Sequence, residues 1–184
     1  MDQQLTKKDL QAGLEALGNS PEDKGTLEMI VCRPDTDERK ILEQAKLDLK
    51  EGMIGDNWLV RGSRHTEDGS AHPEQQITLM NSRVVQLLSG DRERWSLAGD
   101  QLYVDLDLSA ENLPPGQQLA IGSAIVEVSK APHTGCKKFT ERFGSEATRF
   151  VNSKEGRQQR RGGINARVVQ AGTIHMGDTV SKID

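Results

Sequence analysis

Cys136 is the residue of this chain whose type and position are most informative about chemistry. It follows a glycine in a loop and precedes a segment that is predicted to be helical. The N-terminus of a helix carries unpaired N–H groups and a partial positive charge, which stabilise a thiolate. Lys137, Lys138 and His133 add cationic groups nearby in the sequence. A thiolate in such a position can act as a nucleophile, carry a persulfide or bind a soft metal. An inert cysteine in a surface loop is the alternative that the local sequence leaves open.

Positive charge is concentrated on the C-terminal side of this cysteine. From Lys137 to Arg161 there are eight Lys or Arg and three Asp or Glu, whereas the whole chain has a formal charge of −4. A basic segment on an acidic protein can attract an anionic ligand. Three arginines at positions 157, 160 and 161 precede two glycines, and this pairing suits a phosphate group because glycine permits close backbone approach and Arg offers paired donors. A solvated charged loop is the alternative.

Composition and motifs exclude several classes of protein. The acidic balance and only six aromatic residues argue against nucleic-acid binding. The sequence contains no phosphate-binding loop, dinucleotide fingerprint or serine nucleophile-elbow motif. No apolar run is long enough for a membrane span, and the first residues have no apolar signal-peptide core, so we expect a cytoplasmic protein without a membrane partner. Cys32 and Cys136 are expected to be free thiols.

The elements that must position Cys136 are mostly short strands. We predict a helical appendage within residues 1–25, with an amphipathic helix at 6–18, and one domain over 26–184. Asp35 and Glu38 have the spacing of a capping box and predict a helix that ends at Gly52. The apolar residues of that segment fall on one helical face: Ile41, Leu42, Ala45 and Leu49.

Further strands are predicted on both sides of the Cys136 loop, and glycine turns separate many of them. The predicted strands cover 26–33, 77–79, 102–106, 119–121, 124–128, 164–170 and 174–183. A helix is predicted over 82–88, and two more follow Cys136, the first over 137–143 and the second ending near 151. This pattern indicates a mainly β fold, a closed and partly antiparallel barrel with peripheral helices.

The order of the short motifs resembles a stand-alone MOSC domain, the module named after the C-terminus of molybdenum cofactor sulfurase. The resemblance covers roughly residues 26–183. The segments that carry it are 52–56, 77–79, 106–109, 113–116, 119–124, 127–128, 135–136, 160–168 and 172–178.

This resemblance implies a barrel like the small barrel domain of pyruvate kinase. It also implies that Cys136 matches the family's functional cysteine, which is proposed either to carry sulfur or to ligate molybdenum in a bound pterin cofactor. Relatives that hold the cofactor, such as the mitochondrial amidoxime-reducing component, reduce N-hydroxylated compounds. The chain lacks the aminotransferase-like domain of the sulfurases, so no pyridoxal phosphate site is expected.

The hypothesis that follows is a molybdenum-cofactor reductase in which the Cys136 thiolate ligates the metal. Six residues would hold the molybdopterin and its phosphate: Thr134, Gly135, Lys137, Arg160, Arg161 and Asn165. The expected partners are this anionic cofactor and either a redox partner or a cysteine desulfurase. Two alternatives stay open, a sulfur carrier with a persulfide on Cys136 and a non-catalytic module that binds a small anion.

Overall fold

A closed barrel of seven strands forms the centre of the computed structural model, which describes residues 5–183. The strands of the chain are β1 Gly25–Cys32, β2 Lys40–Leu42, β3 Gln44–Asp48, β4 Gly52–Met53, β5 Ile77–Asn81, β6 Leu102–Asp105, β7 Gln118–Ile121, β8 Ala124–Val128, β9 Ile164–Gln170, β10 Gly172–His175 and β11 Thr179–Ile183. The helices are α1 Lys7–Leu17, α2 Trp58–Arg61, α3 Ser82–Ser89, α4 Lys137–Asn152 and α5 Lys154–Gln158, with 3-10 turns at Pro73–Gln75 and Arg92–Ala98.

Barrel closure depends on β1, which pairs with strands on both of its edges. Around the barrel the order is β1, β11, β7, β8, β9, β5 and β6, and β6 pairs with β1 again. Only the β5–β6 pairing is parallel among the pairings of the described strands. Beyond the barrel, β2 pairs with the end of β1, and β10, β3 and β4 form a small second sheet. The predicted closed, partly antiparallel barrel is therefore confirmed.

Two apolar cores lie on the two sides of the barrel wall. The interior is filled by aliphatic side chains that include Leu27, Leu79 and Val126, all fully buried. Met80 and Tyr103 point outward into the second core, which the helices α1, α3 and α4 cover. Burial on both faces explains why these strands are nearly continuous apolar runs in the sequence.

The helix predicted between Asp35 and Gly52 is wrong, because this segment forms β2 and β3. Asp37 has a positive φ of 61°, which no helix accommodates. In β3 the buried Ala45 and Leu47 alternate with exposed neighbours, as in a strand with one buried face. Pairing with β10 and β4 supplies the backbone hydrogen bonds of β3, so tertiary pairing overrides the helical spacing.

The helix predicted after Cys136 is confirmed and runs from Lys137 to Asn152. Gly144 interrupts it with a φ of 89°, so it consists of two short helices in series, as predicted. At the other end of the chain, α1 lies within the predicted appendage and packs its Leu10 against α3 and α4. Residues 1–4 of that appendage and residue 184 of the predicted barrel domain lie outside the described residues.

None of the helices in the described part of the chain combines the length and the apolar character that a membrane crossing requires.

Candidate functional site

Cys136 occupies the N-cap position of α4 and is exposed to solvent. Its carbonyl oxygen accepts hydrogen bonds from the backbone N–H and the hydroxyl of Thr140, at 3.0 and 3.2 Å, while its side chain makes no capping bond. The preceding residue, Gly135, is held at both its N–H and its C=O by the amide side chain of Asn152, each at 3.0 Å. The far end of α4 therefore fixes the loop that presents the thiol.

The thiol lies in the wall of a pocket of about 340 Å³. Charged side chains from several separate segments line this pocket, and the positive ones outnumber the negative ones. The positive side chains are Arg33, Arg39, Arg61, Lys138 and Arg142. The negative ones are Asp35, Asp37 and Asp100. A thiol surrounded by an excess of cations is a suitable place for an anionic ligand.

Arg33 is anchored by a buried ion pair at the end of β1. Both oxygens of Asp56 accept from its guanidinium, at 2.9 Å each, and Asp56 also accepts from the backbone N–H of Arg33 and of Trp58. The remaining terminal nitrogen of Arg33 donates to the Gly99 carbonyl at 3.1 Å. Paired bonds of this kind orient an arginine side chain, and here they fix one wall of the pocket.

Two polar atoms of the pocket-lining residues are buried and have no hydrogen-bond partner in the described structure. One is a donor, Nε of Arg39, and the other is an acceptor, Oδ1 of Asn57. Burial lowers the pKa of Arg39, and desolvation likewise lowers the pKa of Arg61. An unpaired buried polar group is costly, so a ligand that supplied both an acceptor and a donor to these two atoms would relieve that cost.

Asp37 connects the loop before β2 to α4 across the mouth of the pocket. It accepts from Lys138 at 2.7 Å and from Arg142 at 2.9 Å. The hydrogen bond from Lys138 holds the pKa of this carboxyl below its usual value, with further contributions from the charges of Lys138 and Arg142. Arg142 also donates to the Leu97 carbonyl, so this guanidinium is fixed on two sides.

His133 and Asp100 form another polar pair among the residues that line the pocket of Cys136. Nε2 of His133 lies 2.6 Å from Oδ1 of Asp100, whose side chain is only 3 % exposed. The ring packs on the backbone of Gly163: a Cβ at that position would lie 2.8 Å from Cδ2 of His133, and its φ of 100° is unfavourable for other residues. The same Cβ would lie 2.5 Å from the Leu79 carbonyl oxygen, so the backbone of β5 and the histidine ring together require glycine at this position.

The residues predicted for cofactor binding fall into three groups. Thr134 and Gly135 line the pocket with Cys136. Arg160 and Asn165 line a neighbouring cavity. Lys137 and Arg161 line neither: Lys137 is exposed beside Glu141, while Arg161 is buried, paired with Glu155 and stacked 4.4 Å from the ring centroid of Phe150.

Most of the cations that line the pocket with Cys136 were not recognised from the sequence. Arg33, Arg39 and Arg61 come from outside the basic segment that runs from Lys137 to Arg161. For Arg33 a signal was present, because a charged residue that directly continues a buried apolar strand is rarely buried without a partner. For Arg39 and Arg61 the sequence carries no comparable signal, since Arg39 is one of four consecutive charged residues and Arg61 precedes a glycine-containing polar loop.

A family model of the MOSC domain matches residues 66–181, and the chain therefore belongs to the MOSC domain family. No curated protein matches the sequence.

Three solved structures illustrate the likeness in fold. The YuaD protein from Bacillus subtilis is 14 % identical with a TM-score of 0.63, over 86 % of this chain and 95 % of that one. YiiM from Escherichia coli is 16 % identical with a TM-score of 0.56, over 86 % and 70 %. YiiM from Geobacillus stearothermophilus is 14 % identical with a TM-score of 0.54, over 90 % and 75 %. At these identities the likeness concerns the fold alone.

We predict that Asp56→Asn destabilises the protein strongly, since it leaves the charge of Arg33 buried without its counterion. The expected loss in the free energy of unfolding is about 3–5 kcal/mol, measured by guanidinium denaturation. Asp37→Asn is the matched control, and because Asp37 is exposed it should change stability little. Equal stability of the two variants would contradict the role assigned to Asp56.

We also predict that the two cysteines differ sharply in alkylation. Cys136 is exposed, whereas Cys32 is buried, and burial together with the charge of Asp56 raises the pKa of its thiol. A raised pKa means less thiolate at pH 8, so iodoacetamide should add one group to the folded chain and a second only in denaturant. Intact-mass spectrometry measures this, and Cys136→Ser should abolish the first adduct. Rapid labelling of folded Cys136→Ser would show the assignment to be wrong.

Proposed function

We propose that this chain binds a molybdenum–pterin cofactor through the Cys136 thiolate and reduces N-hydroxylated compounds. The observation that carries the proposal is the joint presence, in one pocket, of an exposed thiol and an excess of cationic side chains. Membership of the MOSC family supports it, since that family is associated with this cofactor.

The donor set of the pocket fits a metal that arrives with its own ligands. Within residues 5–183 no group of three or more His, Cys, Asp or Glu side chains is arranged to hold a metal ion. The pocket offers one soft sulfur donor, Cys136, which suits a metal already held by other sulfur ligands. A chelated metal needs only one bond from the protein, and the cations would bind the rest of an anionic cofactor.

The unpaired polar atoms fit such a ligand as well. The Arg39 Nε–H can donate to an anionic oxygen, and Asn57 Oδ1 can accept from a ring N–H. Pterins carry both ring N–H groups and acceptor atoms. Thr134 and Gly135, beside the thiol, would contact the part of the cofactor nearest the metal.

The chemistry that the cofactor supplies when bound is two-electron reduction of an N–O bond, which with two protons yields the amine and water. His133 is the residue of this chain best placed to deliver a proton. Its Nε2 is held by the buried Asp100, and its other ring nitrogen makes no hydrogen bond with residues 5–183. Asp100 fixes the orientation of the ring through this contact, while the arginines would keep an anionic ligand in place.

Metal analysis of the purified protein tests the proposal. Expressed in a host that makes the cofactor, the wild-type chain should contain near-stoichiometric molybdenum. Cys136→Ser should reduce the metal to background because the soft ligand is lost, while Cys32→Ala, which changes the buried cysteine, should retain it. Wild-type protein without molybdenum from such a host would refute the proposal.

A second function, sulfur carriage, is favoured by one specific observation. Cys136 is exposed while the other cysteine is buried, so a persulfide on Cys136 would not be resolved by an accessible thiol of the same chain. In the transfer, the Cys136 thiolate attacks the terminal sulfur of a desulfurase persulfide, and the desulfurase thiolate leaves.

Intact-mass spectrometry after incubation with a cysteine desulfurase and free cysteine tests this function. One sulfur adduct is expected on the wild-type chain, and it should be removed by reductant and absent from Cys136→Ser. An adduct of equal yield on Cys136→Ser would assign the sulfur to another residue and overturn this alternative.

A further inference from the structure

A second cavity adjoins the Cys136 pocket and shares His133 and Thr134 with it. Its volume is about 240 Å³, and its walls are the segment that follows β8 and the residues that lead into β9. Sites for whole small molecules usually measure roughly 300–1,000 Å³. This cavity therefore suits a single group or a small ion.

The charge of this cavity is of one sign. Lys130, Arg157 and Arg160 line it, and no carboxylate of the described residues does. The Cys136 pocket, by contrast, includes three aspartates among its cations. In a chain whose formal charge is −4, three cations without a counterion in one cavity are an unusual local excess that favours an anion.

Hydrogen bonds to the protein already hold two side chains of the cavity, so part of the proposed anion site is fixed before a ligand binds. One terminal nitrogen of Arg160 donates to the Leu113 carbonyl at 2.6 Å, which fixes the guanidinium, and desolvation lowers its pKa. The amide of Asn165 donates to the carbonyls of Ala131 and Pro132, at 3.2 and 3.1 Å, so these two acceptors are already paired.

Two groups of the cavity have no partner of their own. The Ser129 hydroxyl is buried and unpaired in the described structure, and it can donate to an anionic oxygen. The Arg157 side chain is exposed and makes no hydrogen bond or ion pair with the described residues, so its five donors are free for a ligand.

We propose that this cavity is an anion site for a phosphate group, separate from the Cys136 pocket. Arginine suits the tetrahedral, multiply charged oxygens of phosphate, and Lys130 adds a third charge. The phosphate comes from one of two sources: the end of a ligand that also occupies the Cys136 pocket, or a separate phosphate ion or monoester. The site itself does not depend on the proposed cofactor.

Calorimetric titration with inorganic phosphate tests the site, on the full chain purified from a host that does not make the cofactor. Arg157→Gln and Lys130→Gln should each weaken phosphate binding roughly tenfold, the effect of losing one charge-assisted contact. Both side chains are exposed and lie outside the two apolar cores, so the folds of these variants should be unchanged. Arg64→Gln, an exposed arginine that lines neither cavity, is the matched control and should bind phosphate as the wild type does.

A third variant separates the two cavities. Arg61→Gln removes a cation of the Cys136 pocket only, so the phosphate affinity of the site proposed here should be unchanged. The proposal is overturned if Arg157→Gln and Lys130→Gln bind phosphate as tightly as the wild type. It is also overturned if phosphate binding persists in those two variants but is abolished in Arg61→Gln, because the phosphate would then bind in the Cys136 pocket.

Molybdenum content then identifies the source of the phosphate. If Arg157→Gln loses both phosphate binding and molybdenum, the site holds the end of the cofactor. If it loses phosphate binding and keeps full molybdenum, the site holds a separate phosphate. Both results support the site, and absence of molybdenum from the wild type would refute the cofactor proposal without affecting the phosphate measurement.

Discussion

The buried ion pair of Arg33 and Asp56 is the interaction on which the geometry of the site depends. It joins the end of β1, a strand that closes the barrel, to the start of α2, where Asp56 also caps the Trp58 N–H. A buried pair of charges stabilises a protein little beyond what apolar residues would, because desolvation offsets the attraction. Here the ion pair orients side chains. Each oxygen of the Asp56 carboxylate accepts two hydrogen bonds, so the Arg33 guanidinium is held in one position. The same contact places Asn57 and Arg61, which follow Asp56 in the chain, in the wall of the pocket.

The same principle organises the rest of the pocket. Asp37 holds Lys138 and Arg142, and Asp100 holds His133, so acidic residues position the cationic side chains instead of neutralising the pocket as a whole. An acidic protein can in this way present a basic cavity. Arg161 is paired in the same way, with Glu155, and stacks on Phe150 outside the Cys136 pocket.

The two glycines at 162 and 163 can be explained in two ways, by close approach to a phosphate or by the space that neighbouring protein groups need. In the sequence, arginines followed by glycines suggest a backbone that approaches a phosphate. In the structure, Gly163 makes room for the Leu79 carbonyl oxygen and the His133 ring, and Gly162 lies beside the backbone of the Thr134 segment. Arg160, however, does line a cationic cavity, so part of the motif keeps the role that its residue types favour.

By itself the sequence determined the fold class, the family and the position of Cys136 at the start of a helix. The fold class and the helix start follow from local patterns: alternating apolar residues, glycine turns, and a loop before an amphipathic segment. The family follows from a resemblance in the order of the short motifs. The tertiary structure alone decided that residues 35–52 contain β2 and β3 instead of a helix, because β2 pairs with β1 and one edge of β3 pairs with β10, more than a hundred residues away. It also decided which arginines line the pocket of Cys136, since Arg33, Arg39 and Arg61 meet the start of α4 only in the folded chain. The residues next to each of these arginines in the sequence do not indicate that the arginines will be close together in the fold. Their proximity results from the pairing and packing of other residues.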